Sequence, residues 1–217
     1  MQHDSELVIL VHGLWLHGVT MAFIKRAIGR CGYPVAAYSY PSVRLTLAQN
    51  AARLARFCSA HPHPRIHFVA HSMGGLVALK AAEALAPGRC GRIVLLGTPY
   101  RDCYAGRRLL NMPLGRSILG RCMRESISGY GPAANASCEI GVIAGTGRIG
   151  LGRFFAPELP RPNDGVVSVE ETRVPGMRDH VVVPASHTAM LVSAEVAGLI
   201  CGFLDSGKFD RADAVHA

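Results

Sequence analysis

The chain has no uninterrupted apolar stretch of about 18 residues, so the sequence holds no ordinary membrane-spanning segment. No export signal is expected from the opening residues either. The first six residues, "MQHDSE", carry no basic cluster, and the apolar run that follows, "LVILVHGLWL", is broken by His12 and Gly13 instead of ending in a small-residue cleavage site. Cys31, Cys58, Cys90, Cys103, Cys122, Cys138 and Cys201 form no CxxC pair and no metal-ligand spacing. In a chain too large to need disulfide staples they read as buried free thiols in a reducing cytoplasm. There is no HExxH helix and no P-loop, and the glycines of "GTGRIGLG" (145–152) do not follow the G-x-G-x-x-G fingerprint of dinucleotide sites. The sequence therefore calls for no cofactor and no metal. Acidic residues are the scarcer charge, 15 against 23 Lys and Arg, leaving a formal +8. That excess does not point to nucleic acid, because the bases are dispersed and form neither an aromatic-studded basic strand nor a basic helical run.

What is present is a hydrophobic content of 49% over 217 residues, enough for one sizeable core and short for two. A single domain over 1–217 is expected. Its periodicity alternates: apolar runs at 7–12, 33–40, "RIHFVA", 92–97, 139–145 and 180–184 read as strands. The stretches 19–30, 45–59, 73–85 and 188–204 place apolar residues at helical spacing. Strands alternating with helices predict a mostly parallel sheet covered on both faces.

Three segments depart from this rhythm. Residues 100–138 mix six arginines, Arg101, Arg107, Arg108, Arg116, Arg121 and Arg124, with leucine, isoleucine, Pro and Gly, and are expected to form a short cap insertion. Residues 145–165 are rich in Gly and Pro and read as a long loop, which in a compact domain usually serves function. Residues 205–217 read as a loose tail.

The run "HFVAHSMGGLVAL" (67–79) carries the chemistry. A β-favouring segment stops at Ser72 with His71, Met73, Gly74 and Gly75 around it, the pattern of a G-x-S-x-G nucleophile elbow with Ala70 at the first small position. The elbow needs small residues because the serine occupies a strained strand-to-helix turn, which lifts its hydroxyl clear and leaves N–H groups at the helix start open to negative charge. The alternative is a serine that merely caps the helix.

With these residues the sequence resembles the α/β-hydrolase superfamily, and within it the small bacterial lipases and esterases. "VHGL" (11–14) resembles the His-Gly oxyanion loop of that family, which implies that the backbone N–H groups of Leu14 and Met73 form the oxyanion hole. "LLGTPY" (95–100) resembles a lipase strand end, "NDGVVS" (163–168) the acid-bearing loop, and "PASHTAM" (184–190) the histidine loop. The implied catalytic set is Ser72, Asp164 and His187, in the Ser–acid–His order of that fold. A serine hydroxyl needs a histidine to take its proton and a carboxylate to fix the imidazole tautomer. His12, His17, His71 and His180 are rivals to His187, and Asp102 and Asp179 are rivals to Asp164.

The resemblance implies a serine carboxylic-ester hydrolase acting on a small-molecule or lipid ester through an acyl-enzyme. A thioesterase or acyltransferase with the same triad, or a non-catalytic binding protein on the same fold, are the alternatives. The arginines of 100–138 suggest a peripheral contact with anionic membrane, at about 1 kcal/mol per basic residue near such a surface. Oligomeric state is not legible.

Overall fold

The computed structural model describes residues 3–127, 138–150 and 152–210. The apolar runs become six strands, β1 (Glu6–Val11), β2 (Val35–Tyr38), β3 (Arg65–His71), β4 (Cys90–Leu96), β5 (Glu139–Gly145) and β6 (Asp179–Val183). They form one parallel sheet in the order β2-β1-β3-β4-β5-β6. The helices are α1 (Ala22–Arg30), α2 (Leu47–Ser59), α3 (Met73–Ala82), α4 (Tyr104–Leu110), α5 (Gly115–Ile127), α6 (Gly152–Phe155) and α7 (Ala194–Ser206). Among the described residues no helix is long and apolar enough to cross a membrane.

Alternation along β1 shows how the layers arise. Leu7, Ile9 and Val11 face a core shared with α2, α3 and α5, while Val8 and Leu10 face a second core shared with α1 and α7. Both faces are covered, so β1 has no polar side and reads as a continuous apolar run. α1 needs only one stripe, and Ile24 and Ile28 supply it. α3 lies between the sheet and α2 and is buried at every position except Lys80. α2 begins with a reciprocal capping box: Thr46 Oγ1 accepts from the Gln49 N–H at 3.2 Å, and Gln49 Oε1 accepts from the Thr46 N–H at 3.1 Å.

The strand order fixes where a site can form. From β1 the chain steps outward to β2, then returns to lay β3 on the other side of β1. The C-terminal ends of β1 and β3 therefore flank the point where the winding reverses, the crevice where open parallel sheets bind ligands. The segment after β1 is "HGL", and the segment after β3 is Ser72.

Several expectations are corrected. Four cysteines are not free thiols: Cys31 pairs with Cys201 and Cys90 with Cys138, leaving Cys58, Cys103 and Cys122 reduced. The first pair joins the end of α1 to α7, which cover the same face, and the second joins the approaches to neighbouring strands β4 and β5. Separations of 170 and 48 residues hid both pairings from the sequence. The closing helix is broken at Ser193, whose hydroxyl accepts the Val196 N–H and starts α7 afresh. Residues 205–210 are not loose: Ser206 ends α7, and Phe209 is buried against Phe203 with its N–H on Asp179 Oδ2 at 2.8 Å. The rest of that tail, 211–217, and residues 128–137 of the expected cap lie outside the described residues.

Candidate active site

Ser72 sits at φ 55°, ψ −131°, a conformation that costs a non-glycine residue energy and persists only where its surroundings impose it. Its N–H donates to the Leu96 carbonyl at 2.8 Å and its carbonyl accepts from the Gly75 N–H at 2.9 Å, so β4 and the first turn of α3 hold the turn. The two glycines that follow are required by contact. A Cβ on Gly74 would lie 2.5 Å from the Val11 carbonyl oxygen, and one on Gly75 would lie 2.7 Å from Thr98 Cγ2. The elbow is thus pressed against the ends of β1 and β4. Ser72 Oγ has no hydrogen-bond partner among the described residues.

The loop after β1 is aimed by a buried histidine. The Tyr40 N–H donates to His12 Nε2 at 3.2 Å, which leaves the proton on Nδ1, and Nδ1 donates to the Gly13 carbonyl at 2.8 Å. Burial lowers the His12 pKa and keeps the ring neutral, as this pattern needs. In a trans peptide the C=O and the next N–H point in opposite directions, so turning the Gly13 carbonyl toward His12 turns the Leu14 N–H away from it. A Cβ on Gly13 would lie 3.0 Å from Ser72 Cβ, so this loop and the elbow are in contact. Among the described residues neither the Leu14 nor the Met73 N–H has an acceptor within the chain.

On the other side, Asp164 and His187 meet. Asp164 is 1% exposed; Oδ1 accepts from the N–H groups of Val166 and Val167 at 2.9 and 2.7 Å, and Oδ2 lies 2.7 Å from His187 Nδ1. A carboxylate only accepts, so His187 carries its proton on Nδ1 and leaves Nε2 bare as a base. The His187 N–H donates to the Asp164 carbonyl at 2.9 Å, locking the two loops together. Two glycines make room for the pair. A Cβ on Gly97 would lie 2.9 Å from Asp164 Oδ2 and 3.0 Å from His187 Nδ1, and one on Gly145 would lie 2.8 Å from Asp164 Cβ. Gly97 belongs to the "LLGTPY" segment singled out in the sequence, whereas Gly145 carried no expectation; a glycine ending an apolar strand was the available signal.

The rivals go elsewhere. Asp102 is exposed and ion-paired with Arg107. Asp179 sits at the opposite end of the sheet and holds the N–H groups of His180 and Phe209. His180 Nε2 lies 3.3 Å from Thr172 Oγ1. His17 is exposed beside His12. His71 is not idle: its Nε2 lies 2.9 Å from the His187 carbonyl oxygen.

Sequence reasoning also missed Glu171, a buried carboxylate that accepts from the N–H and hydroxyl of Ser168 at 2.7 and 2.8 Å and from the Tyr104 N–H. It ties the acid loop to the first turn of α4. The expected cap contains α4 and α5, and it reaches the loop after β1 through Trp15, whose Nε1 donates to the Ile118 carbonyl at 2.8 Å. A cavity of about 570 Å³ opens beside the acid loop, lined by Ile149, Leu159, Arg148, Arg161 and the residues on either side of Asp164.

Solved structures with this architecture include the mature form of the Bacillus licheniformis lipase BlEst2, with a TM-score of 0.76 at 17% identity over 91% of each chain. The metagenomic carboxyl esterase MGS0156 superposes with a TM-score of 0.65 at 19% identity, over 84% of this chain and 64% of that one. The NocB thioesterase domain from the Nocardicin cluster gives 0.58 at 17% identity, over 92% and 93%. At such identities these likenesses concern the fold. No curated protein matches the sequence. The parallel sheet, the serine turn at its reversal point and the paired acid and histidine loops lie within residues 8–202, which match the model of one family, and the chain belongs to it: the alpha/beta hydrolase family.

Proposed function

We propose that the protein is a serine carboxylic-ester hydrolase, with Ser72 as nucleophile, His187 as base and Asp164 as the acid that orients it. The observation that carries this reading is the buried 2.7 Å Asp164–His187 pair, which leaves Nε2 bare at the same end of the sheet as the strained Ser72 turn. In the proposed cycle Ser72 Oγ attacks the ester carbonyl while His187 Nε2 takes its proton. The oxyanion is met by the Leu14 and Met73 N–H groups. His187 then protonates the leaving alcohol, and an acyl-Ser72 remains. Water, deprotonated by the same Nε2, releases the acid. The Ser72–His187 hydrogen bond belongs to the substrate complex, since such bonds often tighten only there.

A thioester would follow the same steps with a thiol leaving group, and the likeness to a thioesterase domain keeps that reading second. In the proposed organisation residues 1–217 form one catalytic domain with 100–138 as its cap. Exposed Met112, Leu114 and Ile118 beside Arg107, Arg108 and Arg116 support a peripheral contact with anionic membrane. The two disulfides favour an oxidising compartment over the cytoplasm that the sequence suggested.

The decisive experiment combines fluorophosphonate labelling with turnover of nitrophenyl esters from acetate to palmitate, beside a thioester. Ser72→Ala is expected to abolish labelling and turnover in a folded protein, and Asp164→Asn to lower turnover less completely, while Asp102→Asn leaves it near wild type. Full turnover by folded Ser72→Ala refutes the mechanism; a large loss in Asp102→Asn alone refutes the acid assignment.

A further inference from the structure

The cap region holds a concave site built of guanidinium groups. Arg116, Arg121 and Arg124 of α5 line a cavity of about 460 Å³, together with Leu110 and Asn111 at the end of α4, Thr46 before α2, and Glu125. A break in α5 makes this convergence possible. On a regular helix, positions five apart point about 140° from each other, so Arg116 and Arg121 would not share a wall. At Gly120, φ 67° and ψ −175° interrupt the helix. A Cβ there would lie 2.5 Å from the Val43 carbonyl oxygen, so the break packs where a side chain cannot follow. The Arg121 N–H then donates to that same carbonyl at 2.9 Å, fixing the second half of α5 against the segment before α2.

The charge in this cavity is unbalanced. Arg116 and Arg121 bring two guanidinium groups to a wall that holds one carboxylate, and Glu125 Oε2 is turned to the first turn of α2, where it accepts the Leu47 N–H at 2.6 Å. Among the described residues, neither Arg116 nor Arg121 makes an ion pair. Like charges gathered in a hollow raise the local potential and draw in an anion.

We propose that this cavity binds a phosphate group, carried by a small phosphate ester or by a lipid headgroup. Guanidinium forks present paired N–H donors that match phosphate oxygens bidentately, and several of them converge here. The Thr46 hydroxyl accepts from Gln49, which leaves its own proton for an anion, and Asn111 adds an amide. Leu110 offers an apolar flank for the organic portion. The volume is in the range of small-ligand pockets, roughly 300–1,000 Å³.

The test does not depend on the ester-hydrolase reading, since it measures binding and its failure leaves Ser72 chemistry untouched. Inorganic phosphate and glycerol phosphate are titrated into the full chain by calorimetry at constant ionic strength. In parallel, co-sedimentation is run with phosphatidylcholine vesicles with and without phosphatidic acid. Saturable binding that weakens at least tenfold in Arg116→Ala, Arg121→Ala, and stays unchanged in Arg26→Ala, Arg30→Ala on exposed positions of α1 at the other face of the sheet, is the expected result. Both target arginines are exposed, so the fold should survive their loss, and Arg121→Lys separates bidentate recognition from simple charge by binding more weakly than wild type. Loss confined to the soluble phosphates identifies a free ligand, and loss confined to vesicles identifies a headgroup; either supports the site. No binding in any arm, or binding equally sensitive to the Arg26, Arg30 variant, overturns it.

Discussion

The ring of His71 is hydrogen-bonded to the backbone of His187: Nε2 donates to the His187 carbonyl at 2.9 Å, and the two ring centres lie 4.6 Å apart. The residue before Ser72 thus holds the loop that carries the proposed base. His71→Leu would leave that carbonyl buried without its donor, at a cost of about 1–3 kcal/mol. It would also loosen the imidazole, and small misplacements of a catalytic group are costly. We expect kcat to fall about tenfold or more with KM little changed, and His71→Gln, which restores an N–H at similar reach, to recover most of it. Equal kcat for His71→Leu and wild type would show that the bond only packs the core.

Gly97→Ala should damage both fold and turnover. The position has φ +54°, and the new methyl would press on Asp164 Oδ2, His187 Nδ1 and Met190 Cε. Backbone strain of this kind costs on the order of 1–3 kcal/mol. Gly198→Ala, inside α7 with nothing near its added methyl, is the control and should be neutral or stabilising by about 0.5–1 kcal/mol. Thermal midpoints and ester turnover measured side by side decide this; matching behaviour of the two variants would refute the close approach at Gly97.

Stability should fall as pH drops below that of an ordinary histidine. Burial, helped by the neighbouring His187, pushes the His71 pKa down from 6.5 to about 3, and burial also lowers His67 and His12. In this window the unfolded chain binds protons that the folded chain refuses, so unfolding is favoured as acid is added. The stabilisation is complete above about pH 6.5 and is lost progressively toward pH 3. Denaturant midpoints from pH 7 to 4 should decline steadily. His71→Gln should flatten the slope, and an unchanged slope would show that His71 is not the proton acceptor.

Thiol chemistry checks the pairing. Cys58, Cys103 and Cys122 are free, and burial raises each thiol to about 12, so they should react slowly with a disulfide-exchange reagent in the native protein. Denaturant without reductant should release three thiols, and reductant all seven cysteines. Seven reactive thiols before reduction would contradict both bridges. Reduction should destabilise the chain by about 2–5 kcal/mol per bridge.

The legible parts of this molecule are those where local chemistry forces a residue choice. Ser72 announces itself because a strained turn pressed between two strands tolerates only small neighbours, and the Gly74 and Gly75 contacts explain why. The parallel sheet follows from apolar runs separated by amphipathic helices, whereas the strand order does not. Ala70 at the first small position of the elbow causes no conflict, since it is a buried strand residue of β3 paired with Leu95. The illegible parts depend on long-range proximity. Nothing near Cys31 points 170 positions ahead to Cys201. His71 looks like a bystander until the His187 carbonyl is seen above it. Gly120 falls inside a helical pattern, and its break is dictated by Val43, a residue of another segment.

Trp15 is the single tryptophan of the chain, half-exposed, with φ 60° and its indole hydrogen on Ile118 of α5. Its emission therefore arises from one place, the seam between α5 and the loop that follows β1. Intrinsic fluorescence reports any shift of α5 away from that loop without a label, through loss of the indole hydrogen bond and altered access to a quencher such as acrylamide. A chain with several tryptophans would blur this signal. Here a stopped-flow trace of ligand or vesicle binding reads one contact.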